Sequence, residues 1–264
     1  MLFRSNNHKG FRQVQLGAYI QDGYRVSRDL RLDLGMRYEF ASIITEKDGL
    51  TSFLPDVDHD TVLRHGPMLK NNPTLLNFSP RVGFSWSPEN SKNTLVSGGF
   101  GIYYDPMLQH MVDTQKNSAP YYQRVHIPNF DASSVFPDAL AGAALAPVGS
   151  DAAGVAILDY NHMASPTLYR YNIGVQRTIG GWSLRGYYVG ARGNHLFRGL
   201  ETNLYPLPVV RPDGSLFFPP NSGPRNPAFG SITMTGADAQ SFYNAFQFTA
   251  SMTSTRCSKT TRRC

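Results

Sequence analysis

The sequence contains no long apolar run. A membrane-spanning helix needs roughly 18 consecutive apolar residues, and the richest apolar stretch, Ala139 to Val148, is short and contains Pro147. The first residues, MLFRSNNHKG, hold no apolar core of the length that a signal peptide requires. These absences exclude membrane-spanning helices. They predict either a protein that stays inside the cell or a chain that begins within a longer one.

Cysteine and unbalanced charge are also scarce. The two cysteines, Cys257 and Cys264, form no C-x-x-C pair and have no histidine nearby. They therefore predict no metal site, and a disulfide between them would constrain only the tail. Of the net charge of +6, four positive charges lie in the last nine residues, so the rest of the chain carries only +2. This distribution disfavours nucleic acid as a partner.

Catalytic motifs are missing as well. The sequence has no G-x-S-x-G or H-E-x-x-H pattern. The glycine-rich segment Gly98-Gly99-Phe100-Gly101 lies inside a predicted strand with no helix after it, so it does not predict a phosphate loop. We therefore expect no enzyme, no catalytic residue and no cofactor. A barrel hydrolase is the alternative, and a Ser-to-Ala series with lipid or ester substrates would test it.

What the sequence does contain is alternation of apolar and polar residues. In DLRLDLGMRYEF, which runs from Asp29 to Phe40, one parity is apolar and the other carries four charges. A period of two predicts a β-strand with its charged face in water. The apolar parity meets either a protein core or lipid, and its members are Leu30, Leu32, Leu34, Met36, Tyr38 and Phe40.

Similar stretches predict an all-β chain of about seven strands. The others are 13–24, 78–86, 94–104, 168–179, 182–191 and 242–250, and the facing of 182–191 stays open. The connections alternate between short and long, and Gly180-Gly181 predicts a tight hairpin turn. Such alternation is typical of an up-and-down outer-membrane barrel with short periplasmic turns and long extracellular loops. We expect the prolines to lie outside strand interiors, since proline cannot donate to the ladder.

The apolar faces leave two alternatives, a soluble all-β core or lipid. Strands of about 9 to 11 residues match a tilted bilayer span. Connections of roughly 37, 62 and 49 residues are long for a compact soluble domain. Aromatic residues near predicted strand ends are typical of interfacial girdles, and they are Tyr38, Phe40, Trp86, Tyr103 and Tyr104. These features favour a partial antiparallel transmembrane β-barrel in contact with outer-membrane lipid.

Six blocks in order carry a family resemblance. LGAYIQDGYRVSRDLRLDLGMRYEF, FSPRVGFSWSP and VSGGFGIYYD resemble successive blocks of TonB-dependent outer-membrane receptors. YNIGVQRTI, YYVGARGNHL and YNAFQFTAS are similar to later hairpins of the Oar-like branch, which carries a carboxypeptidase-regulatory-like domain. The resemblance covers most of Val14 to Ser251. It implies a barrel of about 22 strands around an N-terminal plug, with energy-coupled ligand uptake through the TonB system.

The chain departs from that family pattern. It shows no plug, no TonB box and too few strands, and its end, STRCSKTTRRC, lacks an aromatic last strand. We therefore expect a barrel fragment that forms no stable pore alone, divided into a lead-in (1–12), a partial barrel (13–251) and a basic disordered or aberrant tail (252–264). The alternative function is a non-transporting surface-binding or adhesion β-domain of the cell envelope. In either case the expected location is the outer membrane.

Three groups of residues are candidate sites. On the polar parity, a lumen lining is predicted for Arg31, Asp33, Arg37, Glu39 and Arg81, although ordinary solvation is the simpler interpretation. In DVDHD, Asp56, Asp58 and Asp60 alternate as weak candidates for Ca²⁺, but the loop lacks the glycine and twelfth-position glutamate of an EF-hand. Aromatic loop residues could stack on a ligand or pack against the loops themselves, and they are Tyr121, Tyr122, Phe130, Phe217 and Phe218.

Overall fold

The computed structural model describes residues 9–91, 93–107, 112, 121, 155–204, 208–219 and 223–252. In this part the chain is largely β-structure, with a 3₁₀ turn at Glu89–Ser91. No described helix has the length and apolarity needed to cross a membrane. The strands, in chain order, are β1 (Phe11–Arg12), β2 (Gln15–Arg25), β3 (Leu30–Ala41), β4 (Thr45–Glu46), β5 (Ser52–Phe53), β6 (Arg64–His65), β7 (Phe78–Trp86), β8 (Thr94–Tyr104), β9 (Val155–Leu158), β10 (Thr167–Ile179), β11 (Trp182–Glu201), β12 (Val209–Val210), β13 (Leu216–Phe217) and β14 (Ile232–Met252).

Eight strands form one sheet in the order β2-β3-β7-β8-β10-β11-β14-β9. Its seven long strands are antiparallel neighbours, which confirms the predicted all-β, up-and-down arrangement. The eighth, β9, pairs in parallel with the first residues of β14. β9 lies in the second long connection and was not predicted, because four apolar residues do not identify a strand by periodicity. Within the described residues the sheet does not close on itself.

Short turns and long connections lie at opposite ends of this sheet. Gly180 and Gly181 join β10 to β11 with φ of 55° and 87°, which is the positive-φ pair that a two-residue hairpin turn needs. The Ser27 hydroxyl accepts hydrogen bonds from the backbone N–H groups of Asp29 and Leu30 in the turn between β2 and β3. The other end carries the connection 42–77 and the described parts of 105–166 and 202–231.

Strands β11 and β14 are longer than the sequence predicted. They cover 182–201 and 232–252, whereas the alternation indicated 182–191 and 242–250. The pairing shifts register between Gly193 and Phe197, and His195 adopts a φ of 55°. Such a bulge breaks the parity by which strands are recognised. The pattern therefore ended at the bulge, while the paired hairpin continues beyond it toward the long connections.

A proline also lies where none was expected. Pro80 is inside β7, directly opposite Met36 of β3. The pairing of β7 with β8 begins only at Arg81. At Pro80 the strand therefore has one partner instead of two, which is the edge-like setting in which a missing N–H is tolerated.

The register assigns every long strand two unlike faces, since directly opposite residues of neighbouring strands share a face. Leu34 lies opposite Val82, and Val82 lies opposite Phe100. Tyr188 of β11 lies opposite Ile173 and therefore belongs to the apolar face. This settles the facing of β11, which the sequence left open. Alternate residues form the polar face.

The packed core lies in the long connections at one end of the sheet. One buried cluster there consists of Leu54, Leu63, Val155, Ile157, Phe229 and Ile232. A second consists of Ile44, Met68, Leu69, Met107, Val112 and Leu158. Segments that were predicted only as long connections therefore form a hydrophobic cap over the ends of the strands.

Candidate functional site

The apolar face of the sheet is open to its surroundings. Ile20 is 74% exposed and Phe246 is 73% exposed, although both lie within long strands. The remaining exposed apolar side chains of this face include Leu16, Leu34, Met36, Phe78, Val82, Trp86, Phe100, Ile173, Val175, Ile179, Trp182, Tyr188, Phe242, Phe248 and Met252. A contiguous apolar area of this kind does not stay exposed on a soluble monomer. Its surroundings are therefore apolar, as hydrocarbon is.

Aromatic residues bound this face at both ends. Trp86 and Trp182 lie at the short-turn end, opposite Leu30 and Ile179 respectively. At the other end the rings of Tyr38 and Phe78 are 4.8 Å apart between centroids. The ten residue-to-residue steps from Trp182 to Arg192 in β11, at about 3.4 Å each and a tilt of roughly 40°, give a band about 26 Å tall. This height matches the apolar band of about 25 Å on outer-membrane barrels.

Three charged residues fall on the apolar face by register. Arg192 lies opposite Phe242 at the outer end, with its guanidinium 5.1 Å from the ring centroid. Arg177 lies opposite Leu184, near the short turn. Both positions are close enough to an interface for a long side chain to reach polar surroundings. Asp22 lies opposite Leu34, well inside the band, and nothing in the structure explains it.

The polar face carries two ion pairs within β3. Arg31 Nε lies 3.0 Å from Asp33 Oδ1, and Arg37 Nε lies 2.8 Å from Glu39 Oε1. Because these side chains are partly exposed, each pair contributes at most about 1 kcal/mol to stability. The register also places Arg81 on this face, opposite Gly35. The five residues predicted to line a lumen thus share one face, and their role as a lining stays a prediction.

A cluster on the same face was missed. The guanidinium carbons of Arg81 and Arg170 lie 4.5 Å and 5.4 Å from the ring centroid of Tyr103. The prediction that Tyr103 belongs to an interfacial girdle was wrong, because Tyr103 lies opposite Leu168 on the polar face. The parity of β8, in which Ile102 and Tyr104 are apolar-face residues, was the signal that could have identified it.

One aromatic loop candidate, Tyr121, packs against other loops. Its hydroxyl lies 2.7 Å from Nδ1 of His65 and 3.5 Å from the carbonyl oxygen of Gly49. The Lys9 ammonium lies 5.3 Å from the ring centroid. Burial raises the pKa of Tyr121, and the nearby Glu46 adds to the effect. Of the two roles left open for this side chain, loop packing is the one for which contacts exist.

Two other candidates, Phe217 and Phe218, lie at a small hairpin of the cap. Phe217 is in β13, which pairs with β12, and the guanidinium of Arg211 lies 4.4 Å from its ring centroid. Phe218 is 52% exposed. Both rings are therefore reachable from outside, and their role in ligand binding stays a prediction. Tyr122 and Phe130 lie outside the described residues.

The three aspartates suggested for Ca²⁺ have separate partners. Asp56 Oδ1 accepts hydrogen bonds from the backbone N–H groups of Asp58 and His59, and the hydrogen bond from the His59 side chain is the main cause of a lowered Asp56 pKa. Asp58 pairs with Arg225. Asp60 accepts from the Arg64 guanidinium at 3.1 Å. Across the described ranges, no three His, Cys, Asp or Glu side chains gather to hold a metal.

Two buried asparagines join separate connections of the cap. The Asn203 amide nitrogen donates to the carbonyl oxygens of Asn226, Phe229 and Gly230. The Asn203 side-chain oxygen accepts from the backbone N–H of Asn226 at 2.6 Å. The Asn226 side chain in turn donates to the carbonyl oxygens of Val57 and Asp60. Because both asparagines are almost fully buried, these bonds determine how the third long connection sits against the first.

Glu46 holds the start of the first long connection. Its carboxylate accepts hydrogen bonds of 2.8 Å from the backbone N–H groups of Gly10, Asp48 and Leu50. Burial disfavours the charged form, but these hydrogen bonds and the nearby Lys9 outweigh it, so the pKa of Glu46 lies below its ordinary value. The cap is therefore stabilised by the ionised carboxylate.

The family described as outer membrane beta barrel domain matches residues 3–258. No curated protein matches the sequence.

Several solved structures are similar to this chain. The chain is 12% identical to the FrpB iron transporter (F3-3 variant) from Neisseria meningitidis, with 94% of this chain and 25% of that chain covered and a TM-score of 0.48. It is 13% identical to the siderophore receptor PirA from Pseudomonas aeruginosa, with 89% of this chain and 30% of that chain covered and a TM-score of 0.42. It is 10% identical to PirA from Acinetobacter baumannii, with 91% of this chain and 26% of that chain covered and a TM-score of 0.46. The chain thus spans only about a quarter to a third of the length of these proteins.

Proposed function

We propose that this chain, which belongs to the outer membrane beta barrel domain family, forms part of the wall of a TonB-dependent receptor for a scarce ligand. Its location is the outer membrane. The observation that carries the proposal is the two-faced sheet. It has an exposed apolar band about 26 Å tall on one side and paired charges on the other. One side suits lipid, and the other suits a water-filled or plug-filled interior.

The open edges of the sheet support a larger barrel. In the described residues β2 has β3 as its only sheet neighbour, and most of β14 pairs with β11 alone. Unpaired backbone N–H and C=O groups are not tolerated in the hydrocarbon region of a membrane. Further strands must therefore complete the barrel. The six sequence blocks support the Oar-like branch, with a plug domain and the TonB system as partners in the intact protein.

The division of the chain follows from the same proposal. We place the barrel wall at 13–251, the lead-in at 1–12 and the basic tail at 252–264. Met252 still pairs with Trp182 at the last position of the ladder.

Energy-coupled uptake can be tested in the organism that encodes the chain. Growth would be measured under limitation of iron, cobalamin or single oligosaccharides, in strains that lack this gene or lack TonB. If the protein takes up a ligand with energy from TonB, one nutrient should fail to support growth of the strain that lacks the gene and also of the strain that lacks TonB. Equal growth of both strains and the parent on every nutrient would reject uptake. A plug and TonB box encoded in the same gene are expected.

A second candidate is surface binding without transport. The hairpin of β12 and β13 favours it, because this small element of the cap exposes apolar side chains that the described residues do not cover. Val210 is 67% exposed and Leu216 is 58% exposed. Under this alternative, loss of TonB leaves attachment to surfaces or partner cells unchanged, whereas replacement of Val210 and Leu216 by Ser weakens it. Loss of uptake with intact attachment would favour the receptor instead.

A further inference from the structure

Arg81, Gly101 and Arg170 lie side by side across three adjacent strands. Arg81 of β7 is directly opposite Gly101 of β8, and Gly101 is directly opposite Arg170 of β10. Neighbouring strands are about 4.8 Å apart, so the two arginines start roughly 10 Å apart on the same polar face. Because the residue between them is glycine, no side chain at that position separates them. We name this place, with Tyr103 and Asn172, the arginine notch.

The ring of Tyr103 covers Gly101 within the arginine notch. A Cβ placed on Gly101 would meet Tyr103 ring atoms at 3.0 to 3.2 Å, so the ring lies directly over this glycine. Both guanidinium groups lie against the ring, at 4.5 Å and 5.4 Å from its centroid. Cation–π contacts of this kind hold a guanidinium in place but leave its charge and its N–H donors available.

The positive charge of the arginine notch is not neutralised. In the part of the chain that the structure describes, neither Arg81 nor Arg170 forms an ion pair. By register, Asp33 is diagonal to Arg81, because it lies opposite Gly83. Its carboxylate is already 3.0 Å from Arg31 Nε. Two cations thus face the same space while the adjacent carboxylate is engaged elsewhere.

The floor of the arginine notch is made of backbone. Gly83 lies opposite Gly99, and Gly99 lies opposite Asn172. A Cβ on Gly99 would be 3.8 Å from the Asn172 side-chain nitrogen, so this amide borders the floor. A groove of about 360 Å³ opens over these glycines. Its polar lining consists of the two guanidiniums, the phenol O–H of Tyr103, the amides of Asn172 and Gln21, and the carboxylate of Asp33. All of these groups except the Asp33 carboxylate can donate hydrogen bonds, and that carboxylate is paired with Arg31.

We propose that the arginine notch binds an oxyanion, namely the carboxylate or phosphate group of a small solute inside the barrel. The planar fork of each guanidinium matches the paired oxygens of either group. Gly101 is three residues from the end of β8 at which the long connections lie, about 10 Å along the strand, so the arginine notch lies close to the cap. This inference rests on the proposed function, because it takes the polar face as the inner wall and assigns an anionic ligand to it.

Calorimetric titration tests this on the intact outer-membrane protein that contains these strands, purified in detergent. The probes are inorganic phosphate and citrate at low ionic strength, with glucose as the neutral control. The structure predicts binding of at least one anion and none of glucose. Arg81→Gln and Arg170→Gln should each weaken binding tenfold or more, and the double variant should abolish it. Arg81→Lys should restore part of the affinity, because it keeps the charge and loses the fork.

Arg185→Gln is the matched control. Arg185 lies on the same polar face, opposite Gln176, with no second arginine beside it and no aromatic ring against it in the described residues. This variant should bind the anion as the parent does. Equal weakening by Arg185→Gln would show unspecific attraction and overturn the site, as would absence of binding by the parent. An unchanged heat-dependent shift in gel mobility establishes that each variant is folded.

The result of the calorimetric titration does not depend on the result of the growth experiment. Binding in detergent requires no energy source, so the arginine notch can bind an anion in a protein that transports nothing. Conversely, a neutral ligand taken up through TonB, together with no binding of phosphate or citrate, would leave the receptor proposal intact and overturn the arginine notch. A preference for citrate over phosphate would assign the carboxylate, and the reverse preference would assign the phosphate.

Discussion

Ile173→Arg tests directly which face of the sheet meets lipid. Ile173 lies in β10, between two paired strands, opposite Gly98 and Tyr188. It is 53% exposed on the apolar face. No acidic residue lies directly opposite it, so an introduced arginine gains no ion partner across the strands. The apolar face predicts that this single charge opposes membrane assembly.

The depth of Ile173 sets the size of the effect. It is six residues above Ile179 at the short-turn end, about 16 Å along the membrane normal in a band about 26 Å tall. It therefore lies within about 3 Å of the middle of the band. An arginine facing lipid at the midplane of a barrel costs about 2–4 kcal/mol. That cost lowers the equilibrium constant for folding into the membrane roughly 30- to 700-fold.

The measurement is urea-dependent folding of the intact protein into lipid vesicles, with gel mobility as the readout of the folded form. Gln247→Arg is the matched control, because Gln247 lies on the polar face opposite Tyr187. Ile173→Leu controls for any change at this position. Both controls should fold as the parent does. If Ile173→Arg and Gln247→Arg were tolerated equally, the apolar face would not lie in hydrocarbon and the membrane assignment would be refuted.

Three further predictions concern the cap and the band. Asn203→Ala should lower the local stability of the cap by roughly 1–3 kcal/mol, since it leaves buried carbonyls unpaired, and should speed proteolysis of the third connection more than Asn161→Ala does. Because the folded-state pKa of Glu46 is lowered, its stabilisation is present above the unfolded value and is lost as pH falls through the folded pKa. Hydrogen exchange at the three amides bonded to Glu46 should therefore gain protection from pH 3 to pH 7 in the parent but not in Glu46→Gln, and equal profiles would contradict this. Asp22→Leu should favour assembly if the carboxylate meets lipid, whereas weaker assembly would reveal a partner on a neighbouring strand.

Much of the wall was readable from the alternation of residues. The bounds of β7 and β8 were predicted as the structure has them, and β2, β3 and β10 were predicted within two residues at each end. This succeeded because each of these strands separates an apolar from a polar environment, which imposes a strict period of two. β11 and β14 were cut short at the bulge around His195, where the period is interrupted.

The cap was not readable in the same way. Its core residues, such as Leu54, Ile157 and Phe229, come from three connections that are far apart in the sequence. The short strand β9 and the asparagine pair Asn203 and Asn226 become meaningful only when these connections meet. Packing of irregular segments leaves no periodic signal, so the composition suggested long loops and nothing more.

By itself, the sequence determined that the chain forms long antiparallel strands with one charged and one apolar face. That much follows from local chemistry, because the side chains of a strand alternate between its faces. The tertiary structure alone decided which strands are neighbours and therefore which residues meet. Arg81, Tyr103 and Arg170 are distant in the chain and become one cluster only through the register of β7, β8 and β10. The register is a property of paired strands, and a single strand does not contain it.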